Sequence, residues 1–173
     1  VWALDQLLSR FEKVFCPCVV GNHPRTTKKP RHKQRAFSNL DWLLYCLLDK
    51  HYSKEDRIQF LVPSDADALY RVYNHRYLLT HGDALGVRGG DGIIGQLGPI
   101  MRGDAKLRST AGGYNKEYDT LLLGHFHQYI PMRRVIVNAS LKGADEYARD
   151  NRFAAEPPSQ AMWWSHPKYG PTY

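Results

Sequence analysis

Three short polar turns contain the residues of this sequence that are best suited to chemistry. Each turn follows an apolar stretch, and in each a glycine lies within two residues of a histidine: Gly21-Asn22-His23, His81-Gly82-Asp83 and Gly124-His125-Phe126-His127. Neutral imidazoles and amide oxygens suit divalent metals of intermediate softness. A nearby glycine lets the backbone turn sharply and approach a ligand closely. A lone histidine has little meaning, but three such turns together indicate a single metal or phosphate site.

The apolar stretches before the three turns are predicted to be strands, over residues 14–20, 76–80 and 119–123. Because ligands of α/β proteins bind beyond the carboxyl ends of strands, the turns are expected to meet there. A helix is predicted over residues 2–13, and a second begins at Ser38 as its N-cap. Its apolar residues Leu40, Leu43, Leu44, Leu47 and Leu48 recur at helical spacing and predict a buried stripe. Further strands are predicted over 58–62, 69–73, 129–137 and 161–165, with a loop or short helix over 142–151.

Alternation of strands and helices, followed mainly by strands, predicts an α/β fold: a mixed-sheet β-sandwich flanked by helices. The 173 residues are a one-domain length. Ten of the 14 glycines fall between Gly82 and Gly113, which predicts a glycine-rich insert over about 82–113 with a short helix near 93–101. Pro131 suggests either an edge strand or an irregularity in the strand.

The three turns, in this order after apolar strands, resemble the last three motifs of the calcineurin-like metallophosphoesterases. The resemblance spans residues 14–140 and extends into Asn138-Ala139-Ser140, which is similar to the strand and turn that follow the GHxH motif in that family. The C-terminal half is similar to members from tailed bacteriophages. The resemblance implies a metal-dependent phosphoester hydrolase with a two-metal site holding manganese, iron, zinc or a similar ion.

The same resemblance implies a role for individual residues. Asn22, His81 and His125 would bind one metal, His127 would bind the other, and His23 would act at the substrate as the catalytic histidine. Pro24 stands where family members often carry an acidic residue that orients this histidine, so His23 would need another partner.

The family's earlier motifs, Asp-x-His and Gly-Asp-x-x-Asp, supply the acidic metal ligands, and the residues before Gly21 contain neither. The chain is therefore expected to be the C-terminal part of one incomplete metallophosphoesterase domain over 1–173, with a separate N-terminal segment as a partner that completes the site. Asp83, Asp91 or Asp104 could in principle take the place of the missing acidic ligands, but their spacing in the sequence does not support it.

A basic segment, the basic loop, follows His23 directly and contains Arg25, Lys28, Lys29, Arg31, Lys33 and Arg35. The whole chain has a net charge of +7. The basic loop is interpreted either as a solvated loop or as a surface that binds phosphate through Arg25, Lys28, Lys29 and Arg31. The second interpretation favours a nucleic acid or nucleotide substrate. Three cysteines without paired spacing indicate a reducing compartment, hence the cytoplasm, possibly of an infected bacterial host. No apolar run is long enough to span a membrane.

Three functional hypotheses remain open at this point. The first is a phosphodiesterase or nuclease of which this chain carries part of the active site. The second is a catalytically inactive nucleic-acid-binding fragment of the same fold. The third is a structural domain with a single metal site.

Overall fold

The computed structural model describes residues 1–85, 95–150, 152 and 156–172. The chain forms two compact units, Val1–Ala68 and Leu69–Tyr173. Within the described ranges, no helix combines the length and the apolar character needed to cross a membrane.

The first unit is built on two parallel strands. Its elements are α1 (Trp2–Leu8), β1 (Val14–Pro17), a 3-10 turn (Ala36–Ser38), α2 (Leu40–His51) and β2 (Ile58–Leu61). Strand β1 pairs with β2 from Val14 opposite Ile58 to Pro17 opposite Leu61. A small core of Leu8, Tyr52 and Ile58 joins the helices to this pair. Helix α1 ends five residues earlier than predicted, and Phe11 beyond it is exposed.

The start of α2 differs from the sequence prediction by one residue. Asn39, rather than Ser38, is the N-cap, and its side chain accepts a hydrogen bond from the Asp41 N–H at 2.9 Å. Ser38 instead ends the preceding 3-10 turn. Asparagine is as good an N-cap as serine, so the helix begins one residue later than predicted with an equally favourable cap.

The predicted buried leucine stripe of α2 is wrong. Leu40, Leu43, Leu44 and Leu47 are each at least half exposed. Leu48 is the one member of the predicted stripe that packs against the small core, and Tyr45, outside that stripe, donates its hydroxyl to the Val19 carbonyl at 3.4 Å. Both faces of α2 carry apolar residues, and periodicity alone does not say which of them the two-stranded sheet will cover.

The second unit contains a five-stranded mixed sheet, which confirms the α/β class. Its strands are β3 (Asp67–Val72), β4 (His75–Thr80), β5 (Thr120–Leu123), β6 (Ile130–Pro131) and β7 (Val135–Val137), in the order β3-β4-β5-β7-β6. Strands β4, β5 and β7 are parallel, whereas β6 is antiparallel to β7. Pro131 thus lies on an edge strand, one of the two predicted alternatives. A hairpin of β8 (Trp164–His166) and β9 (Gly170–Thr172) follows, and sequence analysis missed β9.

Both faces of the central strands are buried, as parallel strands require. Leu121, Val135 and Val137 point to one core, where Ile100 of helix α3 (Leu97–Gly113) joins them. Tyr77, Leu122 and Ile136 point to the other face, which Trp163 helps to cover. Every residue of β5 and β7 is buried, which explains why their sequences are continuous apolar runs rather than alternating ones.

Helix α3 lies in the segment predicted as a glycine-rich insert over 82–113. Its 17 residues run far beyond the short helix predicted near 93–101, part of which lies outside the described residues. The helix is anchored by buried Ile100 and by the Asp104 carboxylate, which accepts a hydrogen bond from the Tyr118 hydroxyl at 2.9 Å. A further short helix, α4 (Glu146–Asp150), lies where a loop or short helix was predicted.

Alkaline pH is expected to destabilise the first unit. Burial raises the pKa of the Cys18 thiol and of the Tyr45 hydroxyl to about 12, and a hydrogen bond to Asp5 raises that of Tyr52 to about 12. In the unfolded chain these groups lose their protons near their ordinary values of 9.0 for the cysteine and 10.0 for the tyrosines. The unfolded state therefore binds fewer protons between about pH 9 and 12, and the free energy of unfolding falls through that window.

The measurement is the urea midpoint at pH 8 and at pH 10.5 under reducing conditions. The midpoint should be lower at pH 10.5, and Cys18→Ala should make the drop smaller. An unchanged midpoint in the parent chain would contradict the assignment of these three protonated groups.

Candidate functional site

The ends of β4 and β5 bring two of the predicted histidines together. Thr80 lies opposite Leu123 in the parallel register, so His81 and Gly124 emerge side by side at the carboxyl edge of the sheet. The rings of His81 and His125 lie 5.2 Å apart between centroids, with an angle of 69° between their planes. This adjacency is the geometry expected from histidines at the ends of neighbouring parallel strands.

Backbone contacts fix the two turns to each other. The Gly124 N–H donates to the His81 carbonyl at 3.1 Å. Gly82 has a φ of +113°, and a Cβ added there would lie 3.2 Å from the Cβ of His125. Glycine is required at this position both by the backbone conformation and by the close approach of the neighbouring turn.

His125 and His127 both adopt the left-handed backbone conformation, with φ of 66° and 60°. This conformation costs a non-glycine residue roughly 1–2 kcal/mol. Residues held in such a conformation are found preferentially at ligand sites, where the surrounding structure fixes a side chain in place. The two histidines of the GHxH turn are therefore positioned at a cost to stability, which supports a functional reading of the turn.

An acidic residue that sequence analysis did not single out lies near His127. Asp145 accepts hydrogen bonds from the Lys142 ammonium and from the Ala148 N–H, the latter at 2.9 Å. The Lys142 contact chiefly holds the pKa of the Asp145 carboxyl below its ordinary value, and His127 acts in the same direction. Its sequence signal is that of an N-cap for α4, which gives no indication of proximity to His127.

The Gly21-Asn22-His23 turn belongs to the first unit and is hydrogen-bonded to the start of α2. The Gly21 N–H donates to the Asp41 carboxylate at 2.9 Å, and the Asn39 amide donates to the Gly21 carbonyl at 2.7 Å. His23 is exposed, while Asn22 is half-buried. The meeting of Asn22 and His23 with the histidines of the second unit stays a prediction.

The basic loop has one cation with a structural role and several without. The Arg25 guanidinium donates to the carbonyls of Asn22 and Thr27, at 2.6 and 3.2 Å, which holds the loop next to the turn. Four further cations are exposed, and no ion pair is recorded for them in the part of the chain that the structure describes: Lys28, Lys29, Arg31 and Lys33. Their charge is available to a polyanion.

The described part of the chain shows no cluster of acidic metal ligands at the turns. Among the described residues, no group of three or more histidine, cysteine, aspartate or glutamate side chains is arranged to hold a metal. Asp104 is committed to Arg108 and to the Tyr118 hydroxyl, which donates to it at 2.9 Å. Asp83 follows His81 at the carboxyl edge, and Asp91 lies outside the described residues.

Compared with known proteins, the chain matches no family model and no curated protein. The functional interpretation therefore depends on the geometry of the turns and on the resemblance of their motifs.

Proposed function

We propose that the chain carries part of the active site of a metal-dependent phosphoester hydrolase, at the carboxyl edge of β4, β5 and β7. The observation that supports this most strongly is the pair of adjacent imidazoles, His81 and His125, at the ends of two parallel strands. The left-handed conformation of His125 and His127 adds to it, since such strain is typical of ligand-holding residues.

The two imidazoles fit a shared divalent metal. With a metal–nitrogen bond of about 2.1 Å and tetrahedral angles, the centroids of two ligating imidazoles lie about 5 Å apart. The distance between the His81 and His125 rings is 5.2 Å. In the proposed site Asn22, His81 and His125 hold one metal and His127 holds the other, with manganese, iron or zinc as candidates.

When bound, a metal pair supplies positive charge to phosphate oxygens and an acidified water as nucleophile. The residues of this chain supply neutral ligands, and His23 is proposed to donate a proton to the leaving oxygen. Neutral ligands alone do not offset the charge of two metals, so we propose that a separate N-terminal segment contributes acidic ligands. An enzyme of this kind would act in the cytoplasm, and the phage-like C-terminal half suggests an infected bacterial cell.

The test is metal binding by this chain. Electron paramagnetic resonance measures the affinity of the chain for manganese. This affinity should fall by at least about 100-fold in His125→Ala, because losing a direct metal ligand costs more than losing a residue that only hydrogen-bonds to a ligand. His51→Ala is the matched control, since His51 is an exposed histidine at the end of α2. Equal affinity in the His125 and His51 variants would refute the proposed site.

Nucleic acid binding without catalysis is the second candidate function, and the exposed cations Lys28, Lys29, Arg31 and Lys33 favour it. If Lys28, Lys29, Arg31 and Lys33 contact a duplex backbone, replacing all four with alanine should weaken binding and flatten the slope of log affinity against log salt by about three units. Fluorescence anisotropy of a labelled duplex measures both quantities.

The control replaces four exposed cations elsewhere in the same unit: Arg10, Lys13, Lys50 and Lys54. This variant has the same net charge as the loop variant. If the loop contacts the duplex directly, the loop variant should lose more affinity than the control. Identical salt slopes in the two variants would show that the loop is only a solvated surface.

A further inference from the structure

A second cleft opens at the opposite edge of the same sheet, where β4, β5 and β7 begin. Its volume is about 400 Å³, within the range of sites for small-molecule ligands. It is lined by His75, Arg108, Tyr118, Asp119, Thr120, Arg133, Arg134, Tyr169 and Pro171. Because β4 spans six residues at about 3.3 Å each, roughly 20 Å of strand separates this cleft from His81.

One wall of this cleft, which we call the arginine cleft, is rigid. His75 Nε2 and Thr120 Oγ1 form a hydrogen bond of 2.8 Å, and the His75 ring packs on Tyr77 with centroids 4.8 Å apart. Gly170 of β9 packs directly against the other side of the His75 ring. The side chains of this wall are therefore held in place before any ligand arrives.

Arg108 is a fixed part of the opposite wall. Its guanidinium pairs with Asp104, lies 4.4 Å from the centroid of the Tyr118 ring, and donates to the Tyr118 carbonyl at 2.9 Å. Asp119, the acidic residue of the lining, is engaged by Arg76, whose N–H donates to it at 2.7 Å. Arg108 and Asp119 therefore each already interact with other groups of the fold.

Arg133 and Arg134 are different, because both are exposed and neither has an ion pair recorded within the described residues. They precede β7 and lie in the lining of the cleft. Two consecutive arginines that both line the cleft, next to a rigid polar wall, can supply the positive charge of an anion site.

We propose that the arginine cleft binds a phosphorylated small molecule about the size of a nucleoside diphosphate, with Arg133 and Arg134 contacting its phosphates. Guanidinium groups match phosphate geometry through paired hydrogen bonds. The cleft volume of about 400 Å³ suits a ligand of this size. The site needs no metal and is distinct from the proposed hydrolytic site.

The test is calorimetric titration of the chain with adenosine diphosphate in the presence of EDTA. Arg133→Gln/Arg134→Gln should weaken binding about 100-fold, since each charge-assisted hydrogen bond contributes enough for roughly a tenfold change in affinity. Arg102→Gln/Lys106→Gln removes the same charge from exposed positions of α3 and should leave affinity unchanged. His125→Ala should also bind normally, which separates this site from the proposed function.

Two further ligands distinguish phosphate recognition from recognition of the nucleoside. Pyrophosphate should compete with adenosine diphosphate, whereas adenosine should not. The proposal is overturned if the parent chain shows no binding at millimolar ligand, if both double variants lose affinity equally, or if adenosine binds as tightly as the diphosphate.

Discussion

Replacing Leu121 with alanine is expected to lower the free energy of unfolding by about 2–5 kcal/mol. Leu121 lies in the middle of β5, is completely buried, and belongs to the core that contains Ile100 and Val135. The loss combines the transfer free energy of the removed methyl and methylene groups with the cost of the cavity that they leave. Urea unfolding of the full chain, followed by far-ultraviolet circular dichroism, measures it.

The matched control is Leu141→Ala in the same unit. Leu141 is 72 % exposed, so the same chemical change should alter stability by no more than about 0.5 kcal/mol. If the two variants unfold at the same urea concentration, the placement of β5 at the centre of the core is wrong.

Gly170→Ala is expected to cost about 2–5 kcal/mol through two separate effects. Gly170 has a φ of +74°, a conformation that costs alanine roughly 1–2 kcal/mol. The added Cβ would also overlap the His75 ring, lying only 2.8 Å from Cε1, which forces a shift of the hairpin or of the ring. Forced shifts in a packed region cost roughly 1–3 kcal/mol more. Urea unfolding measures the sum.

Two variants separate these effects. Gly95→Ala shares the left-handed conformation, with φ of +55°, but its Cβ would meet no atom of the described residues within 4 Å, so it should show only the backbone cost. Adding His75→Ala to Gly170→Ala should relieve the overlap, and a double-mutant cycle gives the coupling between the two positions. Absence of coupling would show that the β8–β9 hairpin does not pack on His75.

The elements that sequence analysis predicted well are those with strong local signals. The strand predicted over 119–123 is found as β5, Thr120–Leu123, because four consecutive buried positions leave a continuous apolar run. The strands predicted over 69–73 and 76–80 are found as β3 and β4, with Tyr73 and Asn74 between them. The strand-end position of His81 and His125 follows from those strands, which is why their adjacency could be expected.

The failures arise where tertiary packing decides. The exposure of Leu43 and Leu47 depends on which face of α2 meets a small sheet, and the sequence offers two apolar faces. Helix α3 is longer than predicted because its glycines Gly98 and Gly103 suggest a loop, although both are buried and a Cβ at Gly103 would lie 3.1 Å from the Cβ of Leu85. The proximity of Asp145 to His127 is a contact between separate segments, for which spacing gives no signal.

The left-handed conformation of His125 and His127 sets fold stability against function. Glycine would occupy either position without strain, so the residue that best suits the backbone is one that has no imidazole to bind a metal. A selection for heat resistance alone would favour replacement of both histidines, whereas a selection that also demanded ligand binding would keep them. These two positions are therefore where stability and activity are expected to trade against each other in variants of this protein.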